Sequence, residues 1–185
     1  MEKTAVLTKT KWAIDPMHSE VQFKVKHLTI SNVTGSFKTF SGIVTTKSEE
    51  FENAEIQVSL DVKSISTNQE MRDNHLKGSE FFDAEKYPHI NFKSTSFKKT
   101  NGKDFILIGD LTMKGITKQV EVKAEYGGTT KDSQGNLKAG FEVTGKINRK
   151  EFGLISNSLT EAGGLVLGEE INLIANIQVT KEKSS

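Results

Sequence analysis

Cysteine is absent from the 185 residues. Disulfides, thiolate metal sites and cysteine nucleophiles are therefore excluded together. No run approaches the roughly 20 apolar residues of a membrane helix, so the chain is not expected to span a membrane. Between Met1 and Trp12 the only apolar run is Ala5, Val6 and Leu7, shorter than a signal peptide requires. A cytoplasmic protein is the expectation, with the periplasm as the alternative for a trimmed mature form. There is no excess of one charge: 25 Lys and Arg face 24 Asp and Glu, for a net charge of +1. Non-specific nucleic-acid binding needs a basic footprint, so no nucleic-acid partner is expected. Runs of one sign extend for only a few residues.

Catalytic signatures are missing as well. The chain contains no GxSxG, HExxH or GxGxxG. Gly140 to Lys146 fits the first seven positions of a phosphate loop, but Ile147 replaces the Ser or Thr. Those residues also alternate as a strand, where a phosphate loop must lie between strand and helix. The four histidines, His18, His27, His75 and His89, do not lie within four residues of one another. No local metal pair exists, and neither a metal nor a cofactor is expected.

Strict alternation is what the chain does have. Phe23 and Val25 alternate with lysines, and Ile56, Val58 and Leu60 alternate with Gln57, Ser59 and Asp61. Phe92, Leu107 and Val122 sit on the apolar faces of three further runs. Phe141 and Val143 share a face with Gly145 and Ile147, and Leu173 and Ala175 lie in a nine-residue alternation from Ile171 to Val179. Such a period marks strands with one dry and one wet face. About eight are expected, at roughly 11–15 with 19–27, 36–47, 53–64, 89–98, 104–114, 117–127, 138–148 and 168–180. Turns are expected at Asn101-Gly102, Gly127-Gly128, Gly135-Asn136 and Gly163-Gly164. Thr39, Ser41 and Ile43 continue the face of Phe37, and Gly109 interrupts the face of Leu107 and Leu111. Gaps of this kind favour an interior that holds a ligand over one filled by side chains. Thr67 and Glu70 have capping-box spacing, and Gly78 is placed to stop a helix. One short helix is expected around 68–77. The fold expected is all-β: one antiparallel eight-stranded barrel over residues 10–181, with a short helical insertion and loose ends at 1–9 and 182–185.

The polar groups worth singling out are few. Arg72 and Asp73 form either a local ion pair or a tie between helix and barrel or, with His75 on roughly the same helical side, a contact for a ligand head group. Arg149 either anchors an anionic head through its forked donors or pins the loop from 154 to 168. Trp12 reads as barrel-end packing, with His18 satisfied by a neighbour.

An ordered set of motifs runs from about residue 10 to 180. It comprises Trp12-x-x-Asp15-x-x-His18-Ser19, Phe23-x-Val25-x-His27, Gly35-x-Phe37-x-x-Phe40-x-Gly42, Ser64-Ile65-x-Thr67 and Arg72-Asp73-x-His75-Leu76. It continues with Phe81-Phe82-Asp83-x-x-x-Tyr87-Pro88-x-Ile90-x-Phe92, Gly109-Asp110-Leu111-Thr112-Met113-Lys114-Gly115 and Arg149-x-x-Phe152-Gly153. Each is weak alone, but the ordered set closely resembles the YceI-like family. Glu151 stands where the family most often has Asp. The resemblance implies a lipocalin-like barrel, a homodimer, no enzymatic activity, and a tunnel for a long-chain isoprenoid or fatty lipid. On that reading the apolar positions named above line the tunnel, and Arg72, His75 and Arg149 are candidates for holding the head. The alternative is a barrel with a filled core, acting as an interaction or stress-related structural protein.

Overall fold

The computed structural model describes residues 9–48, 50–156 and 167–183. Of the ends expected to be loose at 1–9 and 182–185, residues 1–8 and 184–185 lie outside the described residues, as does the Gly163-Gly164 turn. Each alternating run forms a strand, because a period of two puts all its apolar side chains on one face. Three of the strands are bent into two segments. These are β1 (Thr10–Ile14) with β2 (Glu20–His27), β3 (Ser31–Phe37) with β4 (Phe40–Thr46), and β5 (Glu55–Asp61) with β6 (Ile65–Ser66). The others are unbroken: β7 (His89–Asn101), β8 (Asp104–Met113), β9 (Ile116–Lys131), β10 (Leu137–Asn148) and β11 (Leu167–Lys181). Each strand pairs antiparallel with its neighbours in the chain, and β11 returns to both β1 and β2. Counting each bent pair once, the sheet is a closed eight-stranded antiparallel barrel.

The bends have local causes. Asp15 caps a single helical turn, Pro16–His18, accepting from Met17 N at 3.0 Å. His18 Nδ1 lies 2.7 Å and Lys138 Nζ 3.0 Å from the same carboxylate. These donors, His18 foremost, hold the Asp15 carboxyl at about 2, below its ordinary 3.8. Asp61 caps a matching turn, accepting from Lys63 N at 3.0 Å. That turn is tied to the bend between β3 and β4, where Lys38 N donates to Ser64 O at 3.1 Å and Asp61 N to Thr39 O at 3.0 Å.

Each bend reverses which residues face inward. Even-numbered Trp12 is buried before the first bend and odd-numbered Phe23 after it, whereas odd-numbered Phe37 is buried before the second bend and even-numbered Val44 after it. The expectation that Thr39, Ser41 and Ile43 continue the face of Phe37 is therefore corrected: Ile43 is 44% exposed on the outer surface. The expected strand 36–47 also begins earlier, at Ser31, and breaks at Lys38-Thr39. Gly127-Gly128 does not bound a loop. It lies within β9, opposite an irregularity in the ladder at Gly140-Phe141, and the turn comes at residues 132–136, where Asp132 accepts from Gln134 N and Asn136 N.

The interior holds two apolar clusters, one at each end, and Phe92 packs against both. The single α-helix among the described residues, α1 (Glu70–Lys77), follows β6.

Candidate functional site

The barrel has a floor, a wall and a mouth. At the floor the loop between β4 and β5 folds the Phe51 ring inward. Its centroid lies 5.0 Å from Trp12, 5.0 Å from Phe141 and 5.7 Å from Tyr126. Asn53 N donates to Phe97 O at 2.8 Å and Lys99 N to Glu52 Oε2 at 3.0 Å, so the loop is stitched to β7.

Above the floor is a cavity of about 270 Å³. Phe23 and Val25 of β2 line it with Ile56, Val58 and Leu60 of β5. So do Phe92 of β7, Leu107 of β8, Val122 of β9, Phe141 and Val143 of β10, and Leu173 and Ala175 of β11. Every apolar position singled out from the sequence thus faces one space. The remaining lining residues are also apolar, apart from Gln22 and Arg149. Ile56, Val58, Phe141, Val143, Leu173 and Ala175 are only half-buried although they point inward. They border empty space instead of packing across it. Gly35 gives the Phe23 ring room to lie against β3, since a Cβ there would come 2.3 Å from Phe23 Cζ.

The mouth is a second cavity of about 200 Å³ that shares Phe23, Val25, Leu76, Phe81 and Leu167 with the first. Here the lining turns polar, with His27, Thr67, Arg72 and His75. Arg72 and His75 therefore come together, while Arg149 belongs to the main cavity. β3 pairs with β6 only through Ser36 and Phe37, so the wall parts beside α1 and the mouth lies in that gap.

Helix α1 is organised around Thr67. Arg72 Nε donates to Thr67 Oγ1 at 2.7 Å and Nη2 to Thr67 O at 2.9 Å. Thr67 in turn donates N–H and Oγ1–H to the buried Asp73 carboxylate, at 2.8 and 2.6 Å. Of the structural readings open for Arg72 and Asp73, the direct ion pair is not the one displayed: both side chains instead meet Thr67, which ties the helix to the residue following β6. The expected capping box is corrected too, since Gln69 is the cap and its side chain accepts from Arg72 N at 2.6 Å. Gly78 does not stop the helix in the left-handed region; its φ is −74°. His75 Nε2 lies 2.7 Å from Glu80 Oε2, and its ring stands edge-on to Phe81 at 5.1 Å.

The YceI-like domain model matches residues 12–179, nearly the whole barrel with its floor, wall and mouth. The chain belongs to the YceI-like family. A UPF0312 protein of Photorhabdus laumondii is 35% identical over 180 residues, 97% of this chain and 90% of the relative. A UPF0312 protein of Staphylococcus aureus is 34% identical over 170 residues, 91% of this chain and 96% of the relative. Among solved structures, the YceI protein of Campylobacter jejuni superposes with a TM-score of 0.73 at 34% identity, over 86% of this chain and 91% of that one. Burkholderia cenocepacia BcnA reaches a TM-score of 0.77 at 22% identity, over 89% and 98%. A polyisoprenoid-binding domain from Saccharophagus degradans reaches 0.70 at 15% identity, over 92% and 98%. The last two are similar in fold.

In this YceI-like barrel Arg149 is 2% exposed, and its donors are taken up by backbone carbonyls. Nε donates to Gly168 O at 2.7 Å, Nη1 to Leu154 O and to Ser156 O, and Nη2 to Leu167 O. Of the two roles left open by the sequence, tying down the chain on either side of residues 157–166 is the one displayed. Burial draws the guanidinium below its ordinary range, and the nearby Glu169 carboxylate partly offsets this. Among the described residues no group of three or more metal-ligating side chains occurs.

Phe51 is the functional side chain that sequence reasoning missed. Its one signal is a lone aromatic between Glu50 and Glu52, which breaks no periodicity and so passes as loop.

Proposed function

We propose that this protein binds and carries a long apolar lipid of the isoprenoid or fatty type, holding it in the barrel without transforming it. The observation that carries this reading is the interior: about 270 Å³ with an apolar wall, continuous with a polar mouth. Left empty, such a space deprives its lining of the contacts that packed neighbours would supply. An apolar ligand recovers this by restoring the missing contacts, whereas water has no partners on such a wall. The alternative of a filled core is disfavoured by the half-buried inward residues. The polyisoprenoid binding named for the Saccharophagus degradans domain supports the same ligand class.

Exchange with a membrane sets the mechanism. A lipid tail is dry in both places, so burial largely cancels and selectivity falls to cavity shape and the mouth. Arg72 and His75 are the residues we assign to the head, because Arg72 retains donor capacity beyond its bonds to Thr67. The homodimer implied by the resemblance is part of the proposal, and light scattering tests it.

Native mass spectrometry of the purified protein is the direct test. A bound lipid is expected, and Val143→Trp should abolish it while leaving a folded barrel. A folded Val143→Trp variant with undiminished lipid would reject the assignment of the cavity.

A further inference from the structure

We propose that the hairpin joining β2 to β3 is a membrane-docking element that sets the barrel mouth against an anionic lipid bilayer. This rests on the reading of the cavity as a lipid site.

The hairpin tip is built against ordinary turn chemistry. Leu28 and Thr29 have φ of 52° and 63°, a region favoured by Asn and Gly and strained for a β-branched residue. Asn-Gly would relieve the turn, yet the chain places Leu28-Thr29-Ile30 there. Ile30 is 82% exposed and Leu28 is 39% exposed. The tip lies between His27 and Val33, which both line the mouth. Two further exposed apolar residues adjoin the same opening: Met71, 81% exposed beside Arg72, and Ile155, 67% exposed beside Ser156. Scattered apolar side chains on a surface are ordinary. Four around this passage into an apolar cavity form a rim.

Charge selects the occupant. From Val21 to Ser48 there is no Asp or Glu, while Lys24, Lys26, Lys38 and Lys47 occur. Lys24 and Lys26 are exposed on the outer face of β2 just behind the tip. Neither has an ion-pair partner among the described residues. An apolar tip followed by free lysines matches a bilayer with negative head groups: the tip enters the interface and the lysines stay at head-group depth. In that pose a tail passes between bilayer and cavity without crossing water.

The test uses flotation with vesicles of phosphatidylcholine, with and without phosphatidylglycerol. The full chain should bind the anionic vesicles. Ile30→Glu should weaken binding about tenfold, and Lys24→Gln with Lys26→Gln should weaken it roughly tenfold on anionic vesicles alone. Because the chain has no cysteine, an environment-sensitive dye placed by Ile30→Cys reports insertion, and one placed by Ser133→Cys at the opposite end should not respond. Undiminished binding by Ile30→Glu, or no response of the Ile30→Cys dye on vesicles, overturns the proposal. So does a change of oligomeric state with vesicle binding intact, which would make the tip a contact between two copies. Ile30→Ser serves where Ile30→Glu does not fold. Native mass spectrometry of the same variants separates the two proposals: lost docking with retained cavity lipid bears on the hairpin, and an empty cavity in the unaltered protein bears on the cavity.

Discussion

A Cβ on Gly109 would come within 2.4 Å of Phe92 Cζ, so the ring that joins the two apolar clusters lies against the bare backbone of β8. The cross-strand partner of Gly109 is Ser94, and Phe92 reaches it along the diagonal. Gly109→Val must displace this ring and also part β8 from the Lys93 carbonyl, which a Cβ would approach to 2.5 Å. We expect a loss of about 2 kcal/mol, measured by urea denaturation, together with reduced lipid content by native mass spectrometry. A variant as stable as the parent would show that β8 can move aside.

Arg149 offers a second test, because its donors gather backbone carbonyls from both sides of residues 157–166. Arg149→Lys keeps the charge but not the fork, so it should leave carbonyls without partners and cost about 3 kcal/mol. Charged and uncharged lipids should lose affinity alike. Selective loss of the charged lipid would instead return Arg149 to the head-group site.

Phe51 closes the floor, so truncation should lengthen the space available. Phe51→Ala is expected to cost about 3 kcal/mol and to shift bound lipids towards longer chains. Mass spectrometry of extracted lipid measures the shift. An unchanged length distribution would mean that Trp12 and Tyr126 set the floor by themselves.

Acid should loosen the bend between β1 and β2. The Asp15 carboxyl is held at about 2, below its ordinary 3.8, by His18, Lys138 and Met17 N. Its contribution is fully present above 3.8 and is lost as pH falls through about 2. Solvent screening limits it to about 1 kcal/mol. Asp15→Asn should be less stable than the parent at neutral pH, with the difference vanishing towards pH 2 in thermal melts. A constant difference across that range would remove Asp15 as the cause.

Much of the wall was legible because alternation is a physical consequence of burying one face of a strand. Phe141 and Val143 could point nowhere but inward once Glu142 pointed out. The same rule misled at Ile43, since a two-residue bend at Lys38-Thr39 reverses the face without disturbing the composition around it. The hairpin at Leu28-Thr29 was hidden for a related reason: its residues are not those that turn chemistry favours. At Arg149 the sequence left two roles open, because a guanidinium suits a phosphate and a row of carbonyls equally well. Only the convergence of residues 154, 156, 167 and 168 on that side chain distinguishes them.

The meander order carries a consequence for how the barrel assembles. With each bent pair counted as one strand, every strand pair except those made by β11 with β1 and β2 joins neighbours in the chain. Hairpins of that kind form at small entropic cost, one after another. The seam that brings Trp12 opposite Lys181 spans nearly the whole polypeptide and is the slowest contact to find. Until it zips, the future interior is an open apolar sheet with two free edges, the form most prone to aggregate.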